Sequence, residues 1–233
     1  MNRIKLNRPL FDPRSAPIKL MDQQALAPLN NTRLQPDNLR AHFAKPPIWN
    51  PELTGDKFRF DDRPIIPAAV LVPIVMHSSG PNLLLTLRSV HLSDHAGQVA
   101  FPGGRRDVAD ASFEATALRE AFEEVGLQAE AIEVLGQLPV YLTGTGYAIT
   151  PIVALVQANP KLVLQASEVD EAFEVPLHFL MDPANHQQRI IQVGKQERGF
   201  YSMPYTDQNK EYFVWGATAA IIRNLYLFLG AQK

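Results

Sequence analysis

The chain has 233 residues, 46% of them apolar and 20% charged, so a sizeable core can form and disorder of the whole is excluded. Lys and Arg total 22 against 24 acidic residues, a formal charge of −2, which argues against a nucleic-acid coat and a polybasic membrane binder. With no cysteine, disulfide scaffolds, thiol nucleophiles and thiolate zinc sites are excluded.

Residues 1–60 hold 8 of the 19 prolines. Proline fixes φ and removes a backbone donor, so no continuous helix or central strand is expected there. One short helix is predicted, with Pro36 near its start and Leu39 and Phe43 stacked four apart. The reading divides the chain into a proline-rich N-terminal arm, 1–60, and a main domain, 61–233. The arm is expected to pack on that domain or a neighbour, or to stay partly disordered. Its first residues, Met1-Asn2-Arg3-Ile4-Lys5, are charged with no apolar stretch behind them, so no secretory signal and a cytoplasmic location are expected. The longest apolar run, 65–76, is interrupted by Pro67 and Pro73 and is shorter than the roughly 20 residues that span a bilayer.

Beyond Phe60 the pattern predicts strands over 68–76 and 83–87, joined by a turn at 77–82, and another over 98–101. A helix is predicted over 113–125. Strands follow over 135–142, 148–156 and 162–165, then one from 173 broken by Pro176, then 189–193 and 212–214. The end, 217–229, reads as a helix closed by Gly230. Strands outnumber helices without regular alternation, which predicts a mixed α/β sandwich.

The helix at 113–125 carries the chemistry. Phe113, Ala117, Leu118, Ala121, Phe122 and Val125 fill one apolar half at helical spacing. Ser112 or Asp110 can cap its start, and Gly126 suits its end. Glu120, Glu123 and Glu124 stand three and four apart, beside that half. Like charges so placed cost roughly 0.2–0.5 kcal/mol per pair. Arg119 relieves part of this, and a hard divalent cation would relieve more. A solvated acidic patch is the plainer reading of Glu-x-x-Glu-Glu alone. Upstream, Phe101-Pro102-Gly103-Gly104 supplies a stiff turn with room for close backbone approach.

Turn and helix together resemble the box of the Nudix hydrolase family. Gly104, Arg119, Glu120, Ala121, Glu123, Glu124, Gly126 and Leu127 match that box. Asp110 stands where the box has its first glutamate, with one extra residue before Arg119. A second stretch resembles the coenzyme A pyrophosphatase branch: Leu84-Leu85-Thr86-Leu87-Arg88-Ser89, then Gly97, then Phe101-Pro102-Gly103-Gly104. Ser93 replaces that signature's second arginine. Glu168-Val169-Asp170-Glu171 and Trp215-Gly216-Ala217 resemble later segments of the branch.

The resemblance implies a Nudix α/β/α sandwich with a mixed β-sheet. It also implies a metal-dependent pyrophosphohydrolase that cleaves coenzyme A or acyl-coenzyme A to 3′,5′-ADP and (acyl-)4′-phosphopantetheine. Mg²⁺ or Mn²⁺ would sit on Glu120 and Glu124, with the Gly104 carbonyl as a further ligand. Arg119 would hold a glutamate in place. Glu123 would complete the cluster or act as base, with Glu168 and Glu171 as the other candidates for that role. Arg88, Gln98, Gly103 and Gly104 are the expected substrate-binding residues. Arg88 is the first candidate to read the 3′-phosphate, and Arg105 and Arg106 compete for that role. Arg88 also fits a plain strand-edge ion pair, and Gln98 a local backbone contact. His91 and His95 read as loop residues that the family does not require. The implied partner is a small nucleotide of coenzyme A type, not nucleic acid or membrane, and a homodimer is compatible. Two rivals remain: a Nudix hydrolase of ADP-ribose or another nucleoside diphosphate derivative, and a non-catalytic nucleotide sensor.

Overall fold

A computed structural model describes residues 12–19, 26–56, 64–92, 94–193 and 196–231. Ser93 and the charged start at 1–5 lie outside them. Helix α1 is Pro36–Ala44. The main sheet contains β1 (Ile66–His77), β2 (Gly80–Arg88), β3 (Val99–Ala100), β4 (Gly103–Arg105), β5 (Ile132–Gln137), β6 (Tyr141–Leu142), β7 (Tyr147–Gln157) and β8 (Val169–Pro176). Helix α2, Phe113–Val125, lies between β4 and β5. After β8 come the single turn α3 (Leu177–Leu180), then β9 (Gln187–Val193), β10 (Gln196–Asp207), β11 (Lys210–Trp215) and the closing helix α4 (Gly216–Gly230).

The main path through the sheet runs β3-β2-β1-β7-β5, with β4 on β1, β6 on β7 and β8 on β2. Strands β1 and β7 pair in parallel from Ile66↔Tyr147 to Met76↔Gln157, while the other ladders are antiparallel. The sheet is therefore mixed, as expected. Its two faces carry separate apolar layers. Ala69, Leu71 and Val75 of β1 pack with Ala117, Ala121 and Val125 of α2. Val72 and Ile74 face the other way, toward Ile221, Ile222 and Leu225 of α4. Helices on both faces give the α/β/α sandwich.

A proline sits within β1, and the ladder explains it. β1 pairs with β4 at Ala68–Val70 and with β2 from Ile74 onward, and Leu71 N–H reaches Pro102 O in between. Pro73, two residues further, turns its missing donor toward the gap where one partner gives way to the next. The β1–β2 turn is tight, with His77 opposite Gly80.

Three expectations need correction. The run 135–142 is not one strand: β5 ends at Gln137, and β6 starts at Tyr141 beyond Pro139. Residues 162–165 are not a strand either. Their backbone serves α2 instead, with Val163 N–H on Val125 O and Gln165 N–H on Glu124 O, satisfying carbonyls that a helix end leaves open. Phe122, placed in the apolar half, is 54% exposed. Strand β10 had no sequence signal, because Gly199 and Pro204 interrupt it. Pro204 is tolerated where β10 has passed the end of β9 at Ser202↔Gln187.

Residues 26–56 join the core of the rest. Leu34 and Leu39 are fully buried in the α4-side layer. Arg33 donates to the Leu229 and Gly230 carbonyls at 2.9 and 3.1 Å, a cation at the negative end of α4. Glu52 accepts from Tyr201 Oη and from Arg223 Nε at 2.8 Å. Arg223 Nη1 in turn lies 3.2 Å from His186 Nδ1, while His186 Nε2–H faces Leu180 O at 2.7 Å.

Burial, assisted by the Arg223 charge, pushes the His186 pKa down to about 4, against about 6.5 in an unfolded chain. The folded state therefore refuses a proton that the unfolded state accepts. Stability contributed by neutral His186 is complete above about pH 6.5 and is lost as pH falls toward 4, by up to about 3 kcal/mol. Urea unfolding across that window should show the loss in the wild type and a flatter profile in His186→Gln. Equal slopes in both would contradict this account.

Candidate active site

The site forms where β4, β2 and the start of β8 meet one face of α2. Local chemistry fixes the helix. Ser112 Oγ accepts from Ala115 N–H at 3.0 Å, and Glu114 stands in the first turn. Gly126 ends it in the left-handed conformation, φ 73°. The remaining register then points Glu120, Glu123 and Glu124 along one flank.

Glu124 is 3% exposed. Its Oε2 accepts from Gly103 N–H at 3.1 Å, and its Oε1 lies 3.5 Å from Arg88 Nη1. Burial pushes its pKa up to about 7, with Glu120 and Glu168 adding to the rise and Gly103 and Arg88 opposing it. Glu120 is raised as well, chiefly by burial, against the pull of Arg119 and with the charges of Glu123 and Glu168 adding. Glu168 thus acts electrostatically on buried Glu124 and half-buried Glu120.

Arg119 holds the cluster together. Its Nε and Nη2 meet Asp110 Oδ1 and Oδ2, each at 3.0 Å, and Nη2 also reaches Arg105 O at 3.1 Å. Its Nη1 meets Glu120 Oε1 at 2.9 Å and Glu123 Oε2 at 2.8 Å. Asp110 is buried, also accepts from Asp107 N–H at 2.9 Å, and is held far on the ionised side, first by Arg119. The shorter acid at the extra-residue position is thus the bidentate partner of Arg119.

The second motif has an equally local explanation. Arg88 N–H donates to Gln98 O and Gly97 N–H to Arg88 O, both at 3.0 Å. Gly97 has φ 67°, which favours glycine. Ser89 N–H donates to Glu168 O at 2.8 Å. The main chain around Arg88 is therefore clamped between the Gly97–Gln98 turn and the Glu168 loop. A register shift between Leu87 and Arg88 accompanies the clamp, and Arg88 reaches Glu124.

Glu171 belongs to a different group. Lys210 pairs with it, and Tyr212 Oη donates to it at 2.7 Å. The Gln98 side chain faces His95, Oε1 to Nδ1 at 3.0 Å. Arg105 donates to Tyr147 Oη at 2.9 and 3.2 Å. Arg106 donates to the Asp110 carbonyl at 3.0 Å and lies over the Phe113 ring. Asp110, at the position of the box's first glutamate, is here a partner of Arg119, and its place on the turn into α2 is the sequence signal for that contact.

Among the described residues no three acidic or imidazole groups close into a finished coordination shell. The donor set nonetheless suits a hard divalent cation, being carboxylate oxygens whose charged form burial disfavours first and neighbouring carboxylates second, beside a bare backbone. A Cβ on Gly104 would meet the Glu120 carboxyl at 2.5 Å, so the carboxyl lies directly on that glycine.

Residues 66–193 match the NUDIX domain. The chain belongs to the Nudix family. It is 47% identical over 165 residues to the uncharacterized Nudix hydrolase NudL of Escherichia coli O1:K1 / APEC, covering 71% of this chain and 83% of that protein. The figures are the same for NudL of Shigella boydii serotype 18. Among solved structures, the Nudix hydrolase RenU of M. smegmatis aligns at TM-score 0.43 and 26% identity, over 50% of this chain and 73% of its own. The box residues of this Nudix domain are those gathered around Arg119. Among the described residues, no helix is long and apolar enough to cross a membrane.

The two glycines of the turn should fail differently. A Cβ on Gly103 would press on backbone, Ala69 O at 2.5 Å and Val70 Cα at 2.6 Å, whereas the atoms nearest to one on Gly104 are those of the Glu120 side-chain carboxyl. Gly103→Ala should lower the melting temperature by several degrees, equivalent to about 1–3 kcal/mol. Gly104→Ala should melt near the wild type yet lose tenfold or more in turnover, the usual scale of about 10–100-fold for disturbed ligand orientation.

Proposed function

We propose that this Nudix protein hydrolyses the pyrophosphate bond of coenzyme A or acyl-coenzyme A in a metal-dependent reaction, giving 3′,5′-ADP and (acyl-)4′-phosphopantetheine. The observation that carries the hydrolytic reading is the convergence of Glu120, Glu124 and the charge of Glu168 on the Gly103–Gly104 turn. Support for the coenzyme A class comes from the run Leu84-Leu85-Thr86-Leu87-Arg88-Ser89 and from the clamp that sets Arg88 beside Glu124.

Glu120 and Glu124 would hold Mg²⁺ or Mn²⁺, with the Gly104 backbone alongside. Such an ion, when bound, neutralises phosphate oxygens and acidifies a bound water. Arg119 positions Glu120 and Glu123, and Asp110 fixes the plane of Arg119. Glu168 is assigned as the base that accepts the proton of the attacking water. It is exposed, so it can return that proton to solvent, and it acts on both Glu120 and Glu124. Glu171 is committed to Lys210 and Tyr212, and Glu123 to Arg119.

Arg88, adjacent to Glu124, is assigned to the diphosphate oxygens. The more distant 3′-phosphate then falls to Arg105, which is exposed and whose side chain donates to a neutral phenol. Gly103 and Gly104 line the turn that the phosphates approach.

Glu124→Gln and Glu120→Gln should each abolish nearly all turnover of coenzyme A while the fold persists, and chelation should silence the wild type. Activity within about tenfold of wild type, or 1.4 kcal/mol of barrier, would remove the ligand role. Glu168→Gln should lower kcat by about 10²-fold or more with KM little changed, and Glu171→Gln should not. Product analysis with coenzyme A, dephospho-coenzyme A and ADP-ribose tests the substrate class. Arg105→Ala should narrow the preference for coenzyme A over its dephospho form, and preferential cleavage of ADP-ribose would overturn the class.

A further inference from the structure

Arg88 is bonded in an unusual way. Its Nη1 reaches Glu124 Oε1 only at 3.5 Å, beyond the 2.7–2.9 Å of a good charged pair. Its Nε is buried and, among the described residues, has no hydrogen-bond partner. A buried donor without a partner costs about 1–3 kcal/mol, more when charged. The main chain allows little escape, because Arg88 N–H and O are both tied to the 97–98 turn and the next residue to Glu168 O. The guanidinium is therefore held over the buried carboxylate with one donor reserved.

Its surroundings define what that donor waits for. Ionised, Glu124 is a buried anion, with Glu120 and Glu168 adding to the negative field. In the metal-free site Arg88 is the cation that Glu124 has. A divalent cation on Glu124 would remove the need for that pairing and set like charge beside the guanidinium. Incoming phosphate oxygens would then accept from the reserved Nε–H together with its neighbour Nη2–H, the side-on parallel fork of a guanidinium, while the displaced Nη1–H turns to a further oxygen of the same diphosphate.

We propose that Arg88 is an exchangeable counter-charge: it pairs with Glu124 in the metal-free site and transfers to a substrate diphosphate oxygen once a divalent cation takes that carboxylate. This deepens the proposed function and rests on Glu124 being a metal ligand. It makes metal and diphosphate bind cooperatively, because each supplies what the other leaves unpaired. Arg88 alone opposes the metal, and Arg88 with a bound phosphate favours it.

The test measures binding, not turnover. Free Mn²⁺ is followed by electron paramagnetic resonance during titration of the full chain, at a pH well above that at which Glu124 takes a proton. Without ligand, Arg88→Gln should bind Mn²⁺ about fivefold more tightly than wild type, since a like charge has gone. Arg88→Lys, which keeps the charge, should stay near wild type. With Mn²⁺ saturating, α,β-methylene-ADP, whose P–C–P bridge resists hydrolysis, should bind Arg88→Gln about tenfold more weakly, or 1.4 kcal/mol. Arg88→Met, which keeps the aliphatic stem, repeats both measurements if the glutamine variant is unstable. Mn²⁺ binding by the uncharged variants that equals or falls below wild type overturns the exchange, as does unchanged affinity for the methylene analogue. Unaltered Mn²⁺ binding by Glu124→Gln instead overturns the metal reading on which the exchange stands.

Discussion

The five contacts of the Arg119 guanidinium are the constraint on which the site depends. Four carboxylates, Asp110, Glu120, Glu123 and Glu124, occupy a short stretch of chain and would drive one another apart. Arg119 bonds three of them and the Arg105 carbonyl at once. The bidentate grip of Asp110 fixes the plane of the fork, so Nη1 can touch one oxygen of Glu120 and one of Glu123 without engulfing either. Were Asp110 absent, the guanidinium would be free to close on Glu120 and cancel the charge a metal needs. A positive group thus stabilises the cluster without consuming it. An Asp in place of a glutamate is tolerated because the chain supplies one more residue before Arg119, and Asp107 N–H steadies the shorter side chain.

Glu124 depends on a different support, since Arg119 does not reach it. Among the described residues, Gly103 N–H and Arg88 offset its burial against the sheet. Both come from segments set by the main sheet: Gly103 opens β4, which β1 holds at Val70↔Gly103, and Arg88 ends β2. The helix presents its carboxylates, and the sheet decides which of them is desolvated. Residues 26–56 stiffen the same framework from the opposite face. Asp56 accepts from Tyr141 Oη at 2.8 Å and from Gly144 N–H at 2.7 Å, pinning the loop that leads into β7, the parallel partner of β1.

Much of this was legible because it is local. Helix α2 announces itself through Ser112, its apolar stripe and Gly126, and the i, i+3, i+4 spacing gathers the glutamates without knowledge of the rest of the fold. The sandwich followed from the strand-rich pattern. What stayed hidden was set by distant partners. Glu168 and Glu171 look equivalent in sequence. They part because Lys210 and Tyr212, from another sheet, take Glu171, while the backbone of Glu168 is tied to Ser89 beside Arg88. The run 162–165 carries apolar residues suited to a strand, yet its donors go to the end of α2. Leu34 lies in a proline-rich stretch with no period to mark it as core, and only packing against the α4-side layer reveals it.

The three arginines near the turn show how pairing decides what a cation can still do. Arg106 spends its donors on the carbonyls of Asp110 and Ala111 and lies on the Phe113 ring, which makes it a brace for the start of α2. Arg105 bonds a phenol oxygen and remains exposed, so its field is undiminished and reaches outward. Arg88 is matched to a buried carboxylate by a long contact, and its buried Nε–H has no partner among the described residues. Sequence alone ranks all three as phosphate readers, because each is an arginine beside a glycine-rich turn or a signature motif. Their partners separate them into a structural brace, an exposed cation on a neutral phenol, and a cation in long contact with a buried carboxylate. A substrate carrying a diphosphate and a further phosphate needs the last two kinds at once, one beside the carboxylates and one away from them. That requirement, and not the count of basic residues, is what the proposed coenzyme A type of substrate rests on.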